Sequence, residues 1–278
     1  MTTTNLNSLL NLIKILKKGW VKMRIIVEND YDSMSKKAAL MVASQITLKA
    51  DSNLGLATGS TPLGMYENLI EMYKDAKVDF GEVQSFNLDE YCGLSADHPN
   101  SYHYYMHQNL FDQINIKNKN INIPDGSADD FEEECKNYEA KIKKARGIDL
   151  QILGIGSNGH IGFNEPAKKL NVATEVVDLR KETIEANSRF FESKENVPKK
   201  AISMGMATIL KADKIVLLAS GKNKAEAIKK TVSGRISTEV PASLLQTHPD
   251  VTIILDQEAA SLIDKEQLSA DCHFEISK

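Results

Sequence analysis

Hydrophobic positions form short apolar runs, separated by longer segments in which apolar residues recur with helical spacing. The apolar runs predict strands over residues 24–27, 54–58, 83–88, 150–153, 214–219 and 251–255. The segments between them predict helices over residues 33–49, 62–73, 100–110, 131–145, 222–231 and 258–263. This alternation is typical of an α/β fold with a largely parallel sheet and helices on both faces. We therefore expect a ligand site at the carboxyl ends of the strands.

Two segments differ from this alternation. Residues 1–22 carry leucines and isoleucines followed by Lys17 and Lys18, and an evident strand opens only after them. We expect residues 1–22 to be an N-terminal extension outside the fold and residues 23–278 to form a single domain; a membrane-surface anchor is the alternative for the extension. Residues 170–198 are polar and weakly periodic, which predicts a lid over a site.

Composition narrows the class of protein. The chain has 278 residues, of which 42% are hydrophobic, so it can bury a substantial core. Its formal net charge of −4 argues against a nucleic-acid partner. Cys92, Cys135 and Cys272 are too widely spaced for a disulfide framework or a zinc site and indicate a reducing cytoplasm. No apolar run reaches the about 18 residues that a membrane helix needs.

The segment with the most candidate chemistry is residues 154–166, GIGSNGHIGFNEP, which follows a predicted strand. Its four glycines allow a sharp turn and close approach of a ligand, while His160 and Glu165 are residue types that transfer protons. The glycine spacing formally matches a dinucleotide-binding fingerprint. However, residues 164–166 interrupt the helix that such a site requires, so we do not expect a nucleotide cofactor.

Two further strand ends carry polar residues. Residues 58–61 precede Pro62, where Thr61 is suited to cap a helix; small residues at a helix N-terminus bind phosphate, although a simple capped turn is the alternative. Asp89 and Glu90 follow the strand predicted over 83–88, where a carboxylate is suited to remove a proton next to a carbonyl. Solvated loop acids are the commoner explanation for such a pair.

His103 and His107 lie four residues apart on one face of a predicted helix. No third ligand accompanies them, and zinc sites need three or four ligands. We therefore favour surface or packing roles for both histidines over a metal site.

Five segments together resemble the glucosamine-6-phosphate deaminase (glucosamine/galactosamine-6-phosphate isomerase) family. They are residues 56–62 (LATGSTP), 86–91 (FNLDEY), 98–102 (HPNSY), 154–166 and 186–191 (ANSRFF). The resemblance extends in order from about residue 23 to residue 256. The NGHIxFNEP string distinguishes the chain from the related 6-phosphogluconolactonases, which remain an alternative, as does a non-catalytic sugar-phosphate-binding regulator.

The resemblance implies a modified Rossmann-like α/β fold without metal or other cofactor, and conversion of D-glucosamine 6-phosphate and water to D-fructose 6-phosphate and ammonia. It implies that Asp89 moves a proton between C2 and C1 of the sugar, and that His160 opens the ring with support from Glu165 and Asn158. The residues that match the family's phosphate contacts are Thr58, Gly59, Ser60, Thr61, Arg189 and Lys224.

One catalytic position and one regulatory region vary within the family. Many relatives have Asp where this chain has Asn158, and an amide stabilises a positive imidazole less than a carboxylate does. Allosteric relatives bind N-acetylglucosamine 6-phosphate through basic residues at the positions of Glu175 and Val177. We therefore expect this allosteric site to be absent, while the chain is a monomer or a homo-oligomer.

Overall fold

The structure, a computed structural model, describes residues 23–188, 191, 193–268 and 272–277. The expected extension over residues 1–22 and the phosphate contact expected from Arg189 lie outside the described residues. Within these ranges, no helix has the length and apolar character needed to cross a membrane.

The described residues form eleven strands, most of them short. In chain order they are β1 (Met23–Glu28), β2 (Asn53–Leu56), β3 (Gln84–Asn87), β4 (Asp89–Tyr91), β5 (Ile121–Asn122), β6 (Leu150–Leu153), β7 (Glu175–Asp178), β8 (Lys200–Ser203), β9 (Lys214–Ala219), β10 (Val251–Asp256) and β11 (Cys272–Ile276). Eight of them pair in the order β11-β1-β10-β9-β6-β2-β3-β5, and every pairing is parallel.

Helices cover both faces of this sheet. They are α1 (Tyr31–Leu48), α2 (Leu63–Lys74), α3 (Tyr102–Asn109), α4 (Phe131–Lys144), α5 (Lys181–Asn187), α6 (Met206–Leu210), α7 (Ala225–Thr231) and α8 (Gln257–Ala260). Apolar residues of α1, α2 and α3 pack on one face, and those of α4, α6, α7 and α8 pack on the other. The Rossmann-like α/β class predicted from the sequence is confirmed.

The central strands are continuous apolar runs because both of their faces are covered. Every residue of β10 is buried, as is every residue of β6. Burial on two faces explains why these strands were visible in the sequence as uninterrupted hydrophobic segments rather than as alternating ones.

A second sheet, of three antiparallel strands in the order β4-β8-β7, was not predicted. Leu88 carries the chain from one sheet to the other: its N–H donates to Leu56 of β2 at 3.1 Å, and its carbonyl accepts from Met204 at 2.8 Å. The strand predicted over 83–88 therefore ends at Asn87, and the next residues belong to a different sheet. The polar segment 170–198 contributes β7 and α5 to this region.

Several predicted helix limits were wrong by a few residues. The helix predicted to start at residue 100 begins at Tyr102, because Ser101 caps it by accepting from the Tyr104 N–H at 3.0 Å. Residues 222–224 form a 3₁₀ turn before α7, and α8 ends at Ala260.

Candidate active site

Four neighbouring strands of the large sheet end at the same edge. In the order β9-β6-β2-β3, the chain continues beyond them into residues 220–224, 154–166, 58–61 and 88–91. From β2 the chain proceeds to β3 on one side, whereas from β6 it later returns to the sheet as β9 on the other side. The connections therefore diverge between β2 and β6. Ligands of open α/β sheets bind at such a switch point.

Asp89 and Glu90 are both buried, with exposed fractions of 6% and 2%. The alternative that they are solvated loop acids is therefore wrong. Burial, together with the adjacent charge of Glu90, raises the pKa of Asp89 to about 8. A carboxyl group with this pKa exchanges a proton near neutral pH, which is what an acid–base catalyst requires.

Glu90 accepts hydrogen bonds that connect α3 to β4. Its Oε1 accepts the N–H groups of Tyr91 at 2.8 Å and Tyr102 at 2.9 Å, and its Oε2 accepts the His103 N–H at 2.8 Å. Burial raises the pKa of Glu90 to about 7, although these three hydrogen bonds favour the charged form. Glu90 thus fixes the N-terminus of α3 to β4, the strand that carries Asp89.

The loop over residues 154–166 is built around tight turns. The Gly156 N–H donates to the carbonyl of His160 at 2.9 Å, and Gly159 adopts a φ of +89°. A Cβ on Gly156 would lie 2.2 Å from the His160 ring, so only glycine leaves space for the imidazole there. No helix follows these glycines, and the loop therefore lacks the helix N-terminus that a dinucleotide site requires.

Glu165 is the centre of a polar group in this loop. Its Oε2 accepts from the Asn158 amide at 2.8 Å and lies 3.3 Å from Nδ1 of His160, a distance suited to an ion pair. Its Oε1 accepts from the hydroxyl of Thr183. Burial alone would raise the pKa of Glu165, but the adjoining His160 and the hydrogen bonds from Thr183 and Asn158 lower it to about 2. Glu165 is therefore a carboxylate throughout the physiological pH range.

The loop and Asp89 meet at Gly162. A Cβ built on Gly162 would lie 3.7 Å from Oδ2 of Asp89 and 3.2 Å from Oγ of Ser203. Ser203 accepts the Phe163 N–H at 3.1 Å, and Asn164 donates to the Met204 carbonyl at 2.8 Å. These bonds attach the loop to β8, the strand that pairs with β4.

The turn over residues 58–61 has its carbonyl groups held by tyrosines. Tyr105 donates to the Gly59 carbonyl at 2.6 Å, and Tyr31 donates to the Ser60 carbonyl at 3.0 Å while accepting from the Gly64 N–H at 2.9 Å. Apart from its chain neighbours, no described residue has a heavy atom within 4 Å of the position that a Cβ on Gly59 would occupy. The backbone around Gly59 is therefore open to a ligand.

The helix-cap role predicted for Thr61 is wrong. Helix α2 begins at Leu63, Pro62 holds the cap position, and no side chain caps the helix. Thr58 and Thr61 are half-buried in the turn that precedes it. Both hydroxyl groups therefore lie in the turn over residues 58–61.

Of the two expected cationic phosphate contacts, only Lys224 belongs to the described residues. It closes the 3₁₀ turn after β9 and is half-buried. In the order of the sheet, the loop after β9 lies next to the loop after β6, and the loop after β2 lies beyond that one.

Sequence reasoning missed an aromatic wall beside Asp89. The Tyr102 ring stacks on Phe163 at a centroid distance of 6.2 Å, and Tyr91 lies 4.7 Å from Tyr102. Phe191 packs edge-on against Tyr91 at 5.9 Å. The tyrosines occur in the segments 86–91 and 98–102, but only folding brings them against the loop. Thr183 also was missed, and nothing in its local sequence indicates a partner 18 residues away.

Within the described parts of the chain, no group of three or more histidine, cysteine or acidic side chains is arranged to hold a metal ion. The rings of His103 and His107 stack at 4.6 Å, and Nδ1 of His107 lies 2.7 Å from Asp112. Both histidine rings therefore have packing contacts of the kind expected for them.

A Rossmann-like sheet with buried acids and a histidine–glutamate pair at its carboxyl edge defines an α/β enzyme. The chain belongs to the family of glucosamine-6-phosphate isomerases and 6-phosphogluconolactonases, whose model matches residues 29–254.

Curated relatives and solved structures agree with this assignment. The chain is 66% identical over 241 residues to a glucosamine-6-phosphate deaminase of Halothermothrix orenii, covering 87% of this chain and 100% of the relative. It is 63% identical over 246 residues to the enzyme of the same name from Thermoanaerobacter pseudethanolicus, covering 88% and 97%. A solved monomeric glucosamine-6-phosphate deaminase superposes with a TM-score of 0.83 at 48% identity, covering 85% of this chain and 99% of that one.

The lactonases of the family share the fold. A 6-phosphogluconolactonase from Thermotoga maritima superposes with a TM-score of 0.67 at 22% identity, covering 84% of this chain and 99% of that structure. At this identity the likeness concerns the fold alone.

Proposed function

We infer that this chain converts D-glucosamine 6-phosphate and water to D-fructose 6-phosphate and ammonia. The observation that carries this inference is the meeting of Asp89 with the His160 loop at Gly162, in a chain 66% identical to a named deaminase. The reaction needs two proton-transfer centres, one for opening the sugar ring and one for moving a proton between neighbouring carbons. The site offers one group for each.

Ring opening is the role we assign to His160. The pyranose must lose the proton of its anomeric hydroxyl and gain one at the ring oxygen, and an imidazole can do both. Glu165 lies 3.3 Å from Nδ1 and is ionised, so it stabilises the positive imidazole that forms during the transfer. Asn158 holds the carboxylate and also accepts the backbone N–H of His160 at 3.1 Å.

Isomerisation is the role we assign to Asp89. After ring opening, a base removes the C2 proton to give a cis-enolamine and returns it to C1, which leaves a ketimine at C2. Water then adds at C2 and ammonia leaves. The raised pKa of Asp89, about 8, suits both directions of this transfer. Asp89 has an exposed fraction of only 6%, which limits access of water to its carboxyl group.

Phosphate binding is the role we assign to residues 58–61 with Arg189 and Lys224. The open backbone around Gly59 offers N–H groups, and Ser60, Thr58 and Thr61 add hydroxyl groups. Lys224 comes from the loop after β9, two strands away from β2 in the sheet, and its ammonium group would supply a point charge.

The two alternatives have less support. A lactonase shares the fold, but the relatives with 60% identity or more are named deaminases. A regulator without catalysis would have no need for the buried Asp89 or for a histidine–glutamate pair.

The decisive experiment is a coupled assay for ammonia and fructose 6-phosphate formed from glucosamine 6-phosphate. Asp89→Asn should abolish turnover while calorimetry shows that glucosamine 6-phosphate still binds. Asp250→Asn is the matched control, because Asp250 pairs with Arg24 before β10 begins. Turnover by Asp89→Asn, or hydrolysis of 6-phosphogluconolactone without ammonia release by the unaltered enzyme, would refute the proposal.

Glu175 and Val177 bear on allosteric regulation. Glu175 is exposed on β7 and Val177 packs into an apolar cluster, so neither favours an anionic effector. We expect no activation by N-acetylglucosamine 6-phosphate; sigmoidal kinetics relieved by this compound would contradict that.

A reducing cytoplasm fits Cys92, Cys135 and Cys272, which are free thiols. The chain acts as a monomer or a homo-oligomer.

A further inference from the structure

The carboxylate of Glu165 is held at both oxygens. Asn158 donates to Oε2 at 2.8 Å, and the hydroxyl of Thr183 donates to Oε1. Because Oε2 is also the oxygen that lies 3.3 Å from His160, the bond at Oε1 determines how the carboxylate faces the imidazole. The terminal torsion of a glutamate is otherwise broad, so a single hydrogen bond leaves the carboxylate free to turn.

Thr183 belongs to a different element from the loop that it contacts. It is buried on α5, while Glu165 lies in the loop after β6. Two other contacts attach this helix to the loop: the guanidinium of Arg180 donates to the Pro166 carbonyl, and Ile184 packs against the cluster that contains Phe163. Helix α5 is therefore fixed to the loop around the carboxylate.

We propose that Thr183 is a positioning residue for ring opening, acting through Glu165 on the orientation of His160. This proposal rests on the function proposed above and deepens it. Thr183 does not reach the sugar; its hydroxyl holds Glu165 so that Oε2 faces Nδ1 of His160. Without the hydroxyl, the carboxylate turns away and the imidazole loses the partner that stabilises its positive form.

The test compares Thr183→Val, which keeps the shape and removes the hydroxyl, with Thr183→Ser, which keeps the hydroxyl. A misplaced catalytic group costs up to about 100-fold in rate, so we expect kcat of Thr183→Val to fall about 10- to 100-fold while KM changes less than about threefold. Thr183→Ser should keep kcat within about threefold. If the valine variant retains kcat, or if the serine variant loses as much as the valine variant, the proposal is overturned.

Thr208→Val is the matched control for loss of a buried threonine hydroxyl. The Thr208 hydroxyl donates to Oε1 of Glu139 at 2.6 Å, the same chemistry between α6 and α4 rather than at Glu165. We expect kcat of Thr208→Val to remain within about twofold. An equal fall in kcat in Thr208→Val would overturn the proposal, because the effect would then follow from packing in general.

Two further measurements separate this proposal from the proposed function. In a Glu165→Gln background, Thr183→Val should lower kcat by less than about threefold, since both changes act on one unit. Crystal structures of the ligand-free Thr183 variants test the positioning role without an activity measurement. Compared with the unaltered protein, Oε2 of Glu165 should lie more than about 1 Å farther from His160 in Thr183→Val but not in Thr183→Ser. An unmoved carboxylate would overturn the positioning role even if the enzyme proved inactive on glucosamine 6-phosphate.

Discussion

Ser203 lies directly opposite Asp89 in the antiparallel pairing of β8 with β4, and its hydroxyl oxygen accepts the Phe163 N–H at 3.1 Å. One buried side chain therefore connects the strand that carries the proposed C2 base to the loop that carries His160. The two halves of the site are more than sixty residues apart in the sequence, yet they share this attachment.

Replacing Ser203 by Ala should weaken both the fold and the site. The Phe163 N–H would lose its buried acceptor, which costs about 1–3 kcal/mol. We expect the free energy of unfolding in urea to fall by that amount, and kcat to fall with it because the loop can move relative to Asp89. Ser52→Ala removes a buried hydroxyl near the amino end of β2 and should lower stability alone. Equal kcat losses in both variants would contradict this explanation.

Gly162 should not tolerate a side chain. Its φ of +56° is left-handed, which costs about 1–2 kcal/mol for an alanine, and the added methyl group would crowd Oγ of Ser203 at 3.2 Å while touching Asp89 at 3.7 Å. Gly147→Ala is the control, since Gly147 has a φ of +97° and, chain neighbours aside, no described residue lies within 4 Å of a Cβ there. Both variants should have a lower Tm, but only Gly162→Ala should have a lower kcat. Full activity in Gly162→Ala would show that the contact does not matter.

Burial of Asp89 should make stability depend on pH in a defined direction. The folded pKa of about 8 lies above the ordinary value of 3.8, so between these values the folded protein keeps a proton that the unfolded chain releases. Stability therefore falls as pH rises through this window, by up to about 1.4 kcal/mol per pH unit. Asp89→Asn removes this dependence.

The Tm of Asp89→Asn should exceed that of the unaltered protein by a margin that grows from pH 4 to pH 8. Thermal unfolding at several pH values measures the margin, and Asp250→Asn, in the exposed ion pair with Arg24, serves as the control. A margin that stays constant or shrinks with rising pH would show that Asp89 is charged in the folded protein.

Asn158→Asp should change the pH dependence of kcat. The amide now donates to Oε2 of Glu165 at 2.8 Å, whereas an aspartate would place a second carboxylate there. Two neighbouring carboxylates would each hold a proton more firmly than the present carboxylate–amide pair does, so the pH profile of kcat should move to higher pH. Asn164→Asp is no substitute control, because Asn164 holds the loop; Asn115→Asp, at a distant turn, is suitable. An unchanged profile in Asn158→Asp would contradict the expected role of the amide.

The central strands β6, β9 and β10 and the helices α1 and α4 were predictable because burial on two faces, or on one helical face, leaves a periodic hydrophobic signal. The antiparallel sheet was not predictable. Strand β4 has the sequence Asp-Glu-Tyr, and it is held by pairing with β8, more than one hundred residues away. Its stability comes from that partner and not from its own composition.

The same division applies to the site. His160 and Glu165 were candidates from local sequence features, an acid and a histidine beside glycines at a strand end, whereas the role of Asp89 was expected from the family resemblance. The burial that raises the pKa of Asp89, the close approach of Gly162 to that carboxyl group and the bond from Thr183 to Glu165 could not be predicted from the sequence. The sequence by itself determined which chemical groups are present and on which strand ends they lie. Only the tertiary structure decided the proton affinities of Asp89 and Glu165 and the mutual orientation of the groups, because both depend on solvent exclusion and on contacts between residues that are distant in the chain.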